Sequence, residues 1–290
     1  MGLDRRTFLG LGLAAGGMVG IGQLLNKLSD TEEDGECMPA LFVGHGSPMN
    51  ALEDNEFSRG WREITGKIPK PKAILCVSAH WLTRGTSITA MEKPSTIHDF
   101  GGFPDELFQV EYPAPGSPVL AEQTRNLVRY APINPDYQWG LDHGTWSVSR
   151  QMYPAADIPV LQLSIDYHKP ALFHYELGAA LSVLRKKGVL IIGSGNIIHN
   201  LGILDFKRSG GYDWAEALNP VIIQNLHEGN HRFFIDYEKM GKEGKLAIPT
   251  PDHFLPLLYI LGLSNKKEPT LVFNDKLIMG SISMTSVLVS

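Results

Sequence analysis

Cysteine is nearly absent from this chain of 290 residues: there are two, Cys37 in a polar stretch and Cys76 in the apolar run Ala73-Ile74-Leu75-Cys76-Val77. Two thiols in such unlike contexts exclude a disulfide framework, and Cys76 reads as a small buried core residue. Charge of one sign is lacking too. The 26 Lys and Arg are set against 31 Asp and Glu, a formal net charge of −5, and no basic tract gathers anywhere. Nothing there attracts a polyanion, so nucleic acid is not an expected partner. Beyond the first 25 residues no apolar run is long enough to span a bilayer, and no repeat or low-complexity tract occurs. What remains is 43% hydrophobic and 20% charged, ordinary globular composition able to bury one large core.

The beginning differs from the rest. Asp4-Arg5-Arg6-Thr7-Phe8-Leu9-Gly10 and the Gly/Ala/Leu stretch to about Leu25 combine a charged front, paired arginines and a weakly hydrophobic body. That pattern resembles a bacterial twin-arginine export signal, and its glycine content suits a firmly packed helix poorly. The acidic run Ser29–Glu36 then reads as a linker. The expected organisation is an export segment over 1–37 and a catalytic domain over 38–290, with a periplasmic destination by way of the twin-arginine translocation machinery. No A-x-A cleavage site follows, which leaves retention at the membrane by an uncleaved signal open. The oligomeric state is equally open.

From Met38 onward short β-rich runs alternate with helical patterns, which predicts an α/β fold: a single domain with a central mixed, mostly parallel sheet flanked by helices. Strands are expected at 40–43, 72–78, 87–90, 159–164, 188–192, 270–273 and 281–287. Helices are expected at 55–65, 118–130, 146–152, 170–186, 214–226 and 254–261. The 170–186 helix has a proline at its start, a one-sided leucine pattern and Gly188 past its end. Residues 93–118, crowded with Pro, Gly and aromatics, read as a long ordered loop over a site.

Of ten histidines, four lie at or near the ends of apolar runs beside Gly, Ser or Pro: His45, His80, His143 and His199. A fifth, His253, stands in Thr250-Pro251-Asp252-His253-Phe254-Leu255-Pro256, at a helix entrance. In open α/β sheets ligands gather beyond the carboxyl ends of strands, so these five can converge on one cleft. Imidazole binds zinc, copper and ferrous iron as its neutral base, and three or more such rings suggest a metal site at the strand ends. There is no compact metal signature of the H-E-x-x-H kind. His98, His168, His174, His227 and His231 read as loop or helix-surface residues, with His98 the exception to watch because it falls in the ordered loop.

The strings Met38-Pro39-Ala40-Leu41-Phe42-Val43-Gly44-His45-Gly46-Ser47-Pro48, Ser78-Ala79-His80-Trp81, Thr96-Ile97-His98-Asp99-Phe100-Gly101-Gly102-Phe103-Pro104, Gly193-Ser194-Gly195-Asn196-Ile197-Ile198-His199-Asn200 and Thr250-Pro251-Asp252-His253-Phe254-Leu255-Pro256 closely resemble the class III extradiol ring-cleavage dioxygenases, in particular their 4,5-DOPA branch. The resemblance implies one divalent metal, with Fe(II) expected for catalysis and Zn(II) possible as the bound ion. It also implies a catechol-type substrate and O2. It makes His45, His80 and His253 metal ligands and His199 either a further ligand or the acid/base beside the metal. His143 matches a position that contacts substrate or oxygen, so His199 and His143 are the catalytic candidates. The wider class has a carboxylate as third ligand, a part Asp252 could take. Trp81, Phe100, Phe103 and Tyr112 are candidate walls for the aromatic ring. Two rivals stay open: a zinc hydrolase using the same histidines to activate water, and a non-catalytic binding protein on the same fold.

Overall fold

The computed structural model describes residues 37–264 and 268–290, so the expected export segment lies, but for Cys37, outside the described residues. One eight-stranded sheet organises them. In chain order its strands are β1 (Ala40–Gly44), β2 (Ala73–Thr83), β3 (Thr86–Thr89), β4 (Ile133–Asp136), β5 (Val160–Asp166), β6 (Val189–Gly195), β7 (Thr270–Phe273) and β10 (Ser286–Val289). A small hairpin adds β8 (Leu277–Ile278) and β9 (Ile282–Ser283). The spatial order is β4-β3-β5-β2-β6-β1-β10-β7. The four central strands β5, β2, β6 and β1 run parallel, while β3 against β5, β10 against β1 and β7 against β10 are antiparallel. This is the mixed, mostly parallel sheet that the run of Ile, Leu and Val segments predicts, since strands covered on both faces carry apolar residues at every position. Every residue of β1, β5 and β6 is buried.

The main helices are α1 (Glu56–Thr65), α2 (Pro118–Leu127), α3 (His143–Met152), α4 (Ala171–Arg185), α5 (Asp213–His227) and α6 (Leu255–Leu263). Local chemistry sets their starts. Asn55 caps α1 in a reciprocal capping box with Ser58, Ser117 caps α2 ahead of Pro118, and the Asp142 carboxylate accepts from Thr145 N at 3.1 Å to begin α3. The α6 helix is apolar on all sides and buried throughout, wedged between α4 and the β6 side of the sheet. Each buried leucine there contributes on the order of 1.5–3 kcal/mol relative to exposure, which fixes the helix and the histidine just before it.

Three differences from the sequence expectations matter. The β2 strand runs five residues past Ser78, with a register shift against β5 between Val77 and Leu82. Such a shift bends a strand and re-aims its side chains, and His80 lies within it. The expected 281–287 strand is two pieces, β9 and β10, parted at Met284 and Thr285. The β4 strand was not anticipated: its sequence Ile-Asn-Pro-Asp buries only Ile133 and pairs at the sheet edge, where a proline is tolerated.

Candidate metal centre

Because β1, β2 and β6 are parallel neighbours, their carboxyl ends lie on one edge of the sheet, and each delivers a histidine there. His45 directly follows β1. Its backbone N–H extends the ladder to Gly195 O at 3.1 Å, and its carbonyl accepts from Asn50 Nδ2 at 2.9 Å. The chain then turns through Gly46 at φ +58°, a left-handed conformation in which a side chain would also strike Met284. His80 lies past the last β2–β6 pair, Ser78 with Ser194. His199 follows β6 in a segment held by Ala247 and the β9 strand: His199 N donates to Ala247 O at 2.8 Å and Ser283 N to Ile198 O at 3.0 Å.

Two further histidines arrive from helix entrances. His143 is the first residue of α3, whose capping Asp142 accepts from Ser78 Oγ at 2.7 Å and so ties that helix to β2. His253 precedes α6 and crosses close over β6. A Cβ on Gly195 would come within 2.1 Å of the His253 carbonyl, so only glycine permits this approach. Buried Asn196 links three of these segments, donating from its backbone to His253 O at 2.9 Å and from Nδ2 to Ser283 O at 2.8 Å, and accepting from Gly46 N at 3.4 Å.

All five histidines therefore meet. Ring centroids are 5.1 Å apart for His45 and His80, 5.3 Å for His45 and His253, and 4.9 Å for His80 and His253. His143 lies 3.9 Å from His80 and 5.5 Å from His45, and His199 stacks on His253 at 3.5 Å and 9°. The Nε2 atoms of His45 and His80 face each other at 3.2 Å. Two nitrogens each about 2.0–2.1 Å from one ion, at tetrahedral to octahedral angles, would be roughly 3.0–3.4 Å apart.

The opposite nitrogens have other occupations. His45 Nδ1 meets the hydroxyl of Ser194 at 2.9 Å, and that hydroxyl donates onward to Gly144 O at 2.6 Å, so it accepts from the ring. His253 Nδ1 contacts Asp252 Oδ2 at 2.5 Å. With their protons on Nδ1, these rings leave Nε2 as a lone pair, the tautomer metal ligation requires, and that of His45 faces His80. Asp252 is thus turned onto its neighbouring histidine.

Electrostatics favour the neutral rings. Burial first, then His80, His253, His143 and His199, hold the pKa of His45 well below the usual imidazole range. Burial, then His143 and His253, do the same for His80, against the opposing pull of Asp99. Burial and then His253 lower His199 to about 3, with Asp252 opposing. Neutral imidazole nitrogens gathered this closely suit a shared cation. Two ligand triads fall within 4.8 Å: His45, His80 and His143, and His199, Asp252 and His253.

The aromatic candidates divide. Phe100 sets its edge on His143 at 5.6 Å and packs on Phe103 at 5.4 Å, beside the site. Trp81 instead stacks on Trp139 at 5.5 Å, and Tyr112 is buried with its hydroxyl donating to Tyr153 O. His98 bonds to Val110 O at 3.0 Å within a cluster of Phe100, Phe108 and Trp146. His174 and His231 are buried, not on the helix surface as read from sequence. Ser194, Asn196 and Asp99 were not singled out in the sequence, although each falls within or beside a histidine-bearing motif.

Residues 39–285 match the family model described as the catalytic LigB subunit of aromatic ring-opening dioxygenase. The chain is 49% identical over 258 residues to the 4,5-DOPA dioxygenase extradiol of Escherichia coli K12, covering 86% of this chain and 94% of that one. It is 41% identical over 236 residues to the 4,5-DOPA dioxygenase extradiol of Beta vulgaris, covering 79% and 87% respectively. Among solved structures, the crystal structure of an uncharacterized protein from Escherichia coli K12 superposes with a TM-score of 0.76 at 44% identity, over 87% of this chain and 100% of that one.

Proposed function

The chain belongs to the LigB family of aromatic ring-opening dioxygenases and is a metal-dependent extradiol ring-cleavage enzyme, and from that premise we propose that it opens a DOPA-like catechol at a single ferrous ion held by His45, His80 and His253. The observation that carries this reading is the pair of Nε2 atoms converging at 3.2 Å within a triangle of imidazoles about 5 Å on a side. When bound there, iron acidifies the catechol hydroxyls and supplies the one-electron chemistry that lets O2 react with the ring.

The remaining steps belong to side chains. Ser194 and Asp252 hold the protons of His45 and His253 on Nδ1 and keep those rings from turning. We assign His199, stacked face to face on His253, to proton transfer: it takes a catechol proton and returns one as the ring opens. His143, against the edge of Phe100, faces the substrate space and serves as the second polar contact there. Phe100 and Phe103 form the apolar wall, which keeps bulk water from the reacting carbon.

The first residues support export in the folded state by the twin-arginine route, with the enzyme working in the periplasm. Arg5 and Arg6 head a weakly hydrophobic stretch, and the family match begins only at residue 39. Replacing both arginines by lysine should leave the protein in the cytoplasm.

Anaerobically purified enzyme loaded with Fe(II) should consume O2 with DOPA or a related catechol and yield a yellow ring-opened semialdehyde, and His199→Ala should keep its ion while losing turnover by about 10²–10⁴-fold. Ester or amide hydrolysis with Zn(II), and no O2 uptake with any catechol, would overturn the assignment.

A further inference from the structure

One carboxylate reaches two of the histidines at once. Asp99, in the ordered loop between β3 and β4, accepts from the His143 backbone N–H at 2.9 Å through Oδ1, and the same oxygen lies 3.0 Å from His143 Nδ1. Its other oxygen lies 3.4 Å from His80 Nδ1. Both ring contacts are within ion-pair range, though His143 Nδ1 does not yet point along a hydrogen-bonding line. Such bonds are commonly long or poorly aligned before the ligand arrives.

Among the described residues no other contact engages Nδ1 of either ring, whereas His45 and His253 have Ser194 and Asp252 in that place. We propose that Asp99 is a positioning residue that holds the protons of His80 and His143 on Nδ1, so that one loop carboxylate sets the tautomer of a metal ligand and of a substrate-facing histidine together. The inference rests on the reading of His80 as a ligand. It couples the two functions: a loop displaced from the site would release both rings at the same moment.

The near-isosteric Asp99→Asn substitution separates orientation from packing. The amide oxygen must stay on the His143 N–H, which has no other acceptor. The amide NH2 then faces His80 Nδ1 and forces that nitrogen to accept, moving the His80 proton to Nε2. Long-range ¹H–¹⁵N spectra of the metal-free full chain read this directly, and Zn(II) titration serves as a redox-silent probe. Wild type should show Nδ1–H tautomers at both histidines. The variant should show His80 as Nε2–H and bind Zn(II) roughly 10–100-fold more weakly. The inference fails if His80 in wild type already carries its proton on Nε2, a result that needs no variant. It also fails if Asp99→Asn leaves both the tautomer and the Zn(II) affinity, within twofold, unchanged. A wild-type chain that binds no divalent ion would defeat the metal reading instead, while the metal-free spectrum would still judge Asp99.

Discussion

Two kinds of buried histidine occur in this protein, and they differ in what the second ring nitrogen faces. His174, on α4 in the apolar core, has both nitrogens engaged: Nδ1 meets the Tyr259 hydroxyl at 3.0 Å and Nε2 the Lys169 carbonyl at 3.3 Å. His45, His80 and His253 have Nδ1 facing a hydroxyl or a carboxylate, while their remaining nitrogens or faces meet other imidazoles. Burial is common to both, so burial does not mark a site. An imidazole nitrogen with only other imidazoles before it does, because a polar atom denied a partner in the interior is costly unless something binds there.

That contrast can be broken most severely by exchanging one residue from each kind. His45→Gln should lose the ion and fall below about one thousandth of the wild-type kcat/KM, roughly 4 kcal/mol of transition-state stabilisation. His174→Phe should retain kcat/KM within about threefold, yet cost about 1–3 kcal/mol of stability because Tyr259 and Lys169 lose a partner. Metal content, steady-state O2 uptake and urea unfolding would measure all three. An active His45→Gln, or an inactive but folded His174→Phe, would erase the distinction.

A smaller effect sharpens it. Burial lowers His174 to about 4 and His199 to about 3, the latter with help from His253. In the metal-free protein both stay neutral while the unfolded chain takes up protons below about pH 6.5, so the unfolded state binds more protons and stability decreases as the pH is lowered. Stability is therefore full above about 6.5 and is lost on acidification through the folded values. Each histidine contributes up to about 1.4 kcal/mol per pH unit. Urea unfolding at stepped pH should show that His199→Gln flattens this slope by one such increment over a wider window than His174→Phe does. An unchanged slope in either variant would contradict its assignment.

Much of this was legible from residue order. A βαβ rhythm predicts parallel strands, parallel strands put their carboxyl ends on one edge, and His45 and His199 fall just past two of those ends. His80 was legible as a strand-end residue only because Ser78 and Ala79 weaken the apolar run; that β2 continues to Thr83 through a register shift depends on β5, which no local pattern reports. The β4 strand was hidden by its Asn-Pro-Asp sequence, ordinary turn chemistry overridden by pairing with β3. Trp81 reads in the sequence as a candidate wall for the aromatic ring, whereas alternation along a strand sends it to the face opposite His80, and it stacks on Trp139. Asp99 was invisible as a partner because the loop that carries it meets His143 from 44 residues away.

The central claim is that His45, His80 and His253 share one divalent ion. Anomalous diffraction from crystals of the Fe(II)-loaded enzyme grown without oxygen tests it most directly. The account predicts one peak about 2.1 Å from Nε2 of each of these three rings, with Asp252 and His199 outside bonding distance. A peak held instead by His199, Asp252 and His253, or no peak among the five histidines, would contradict it.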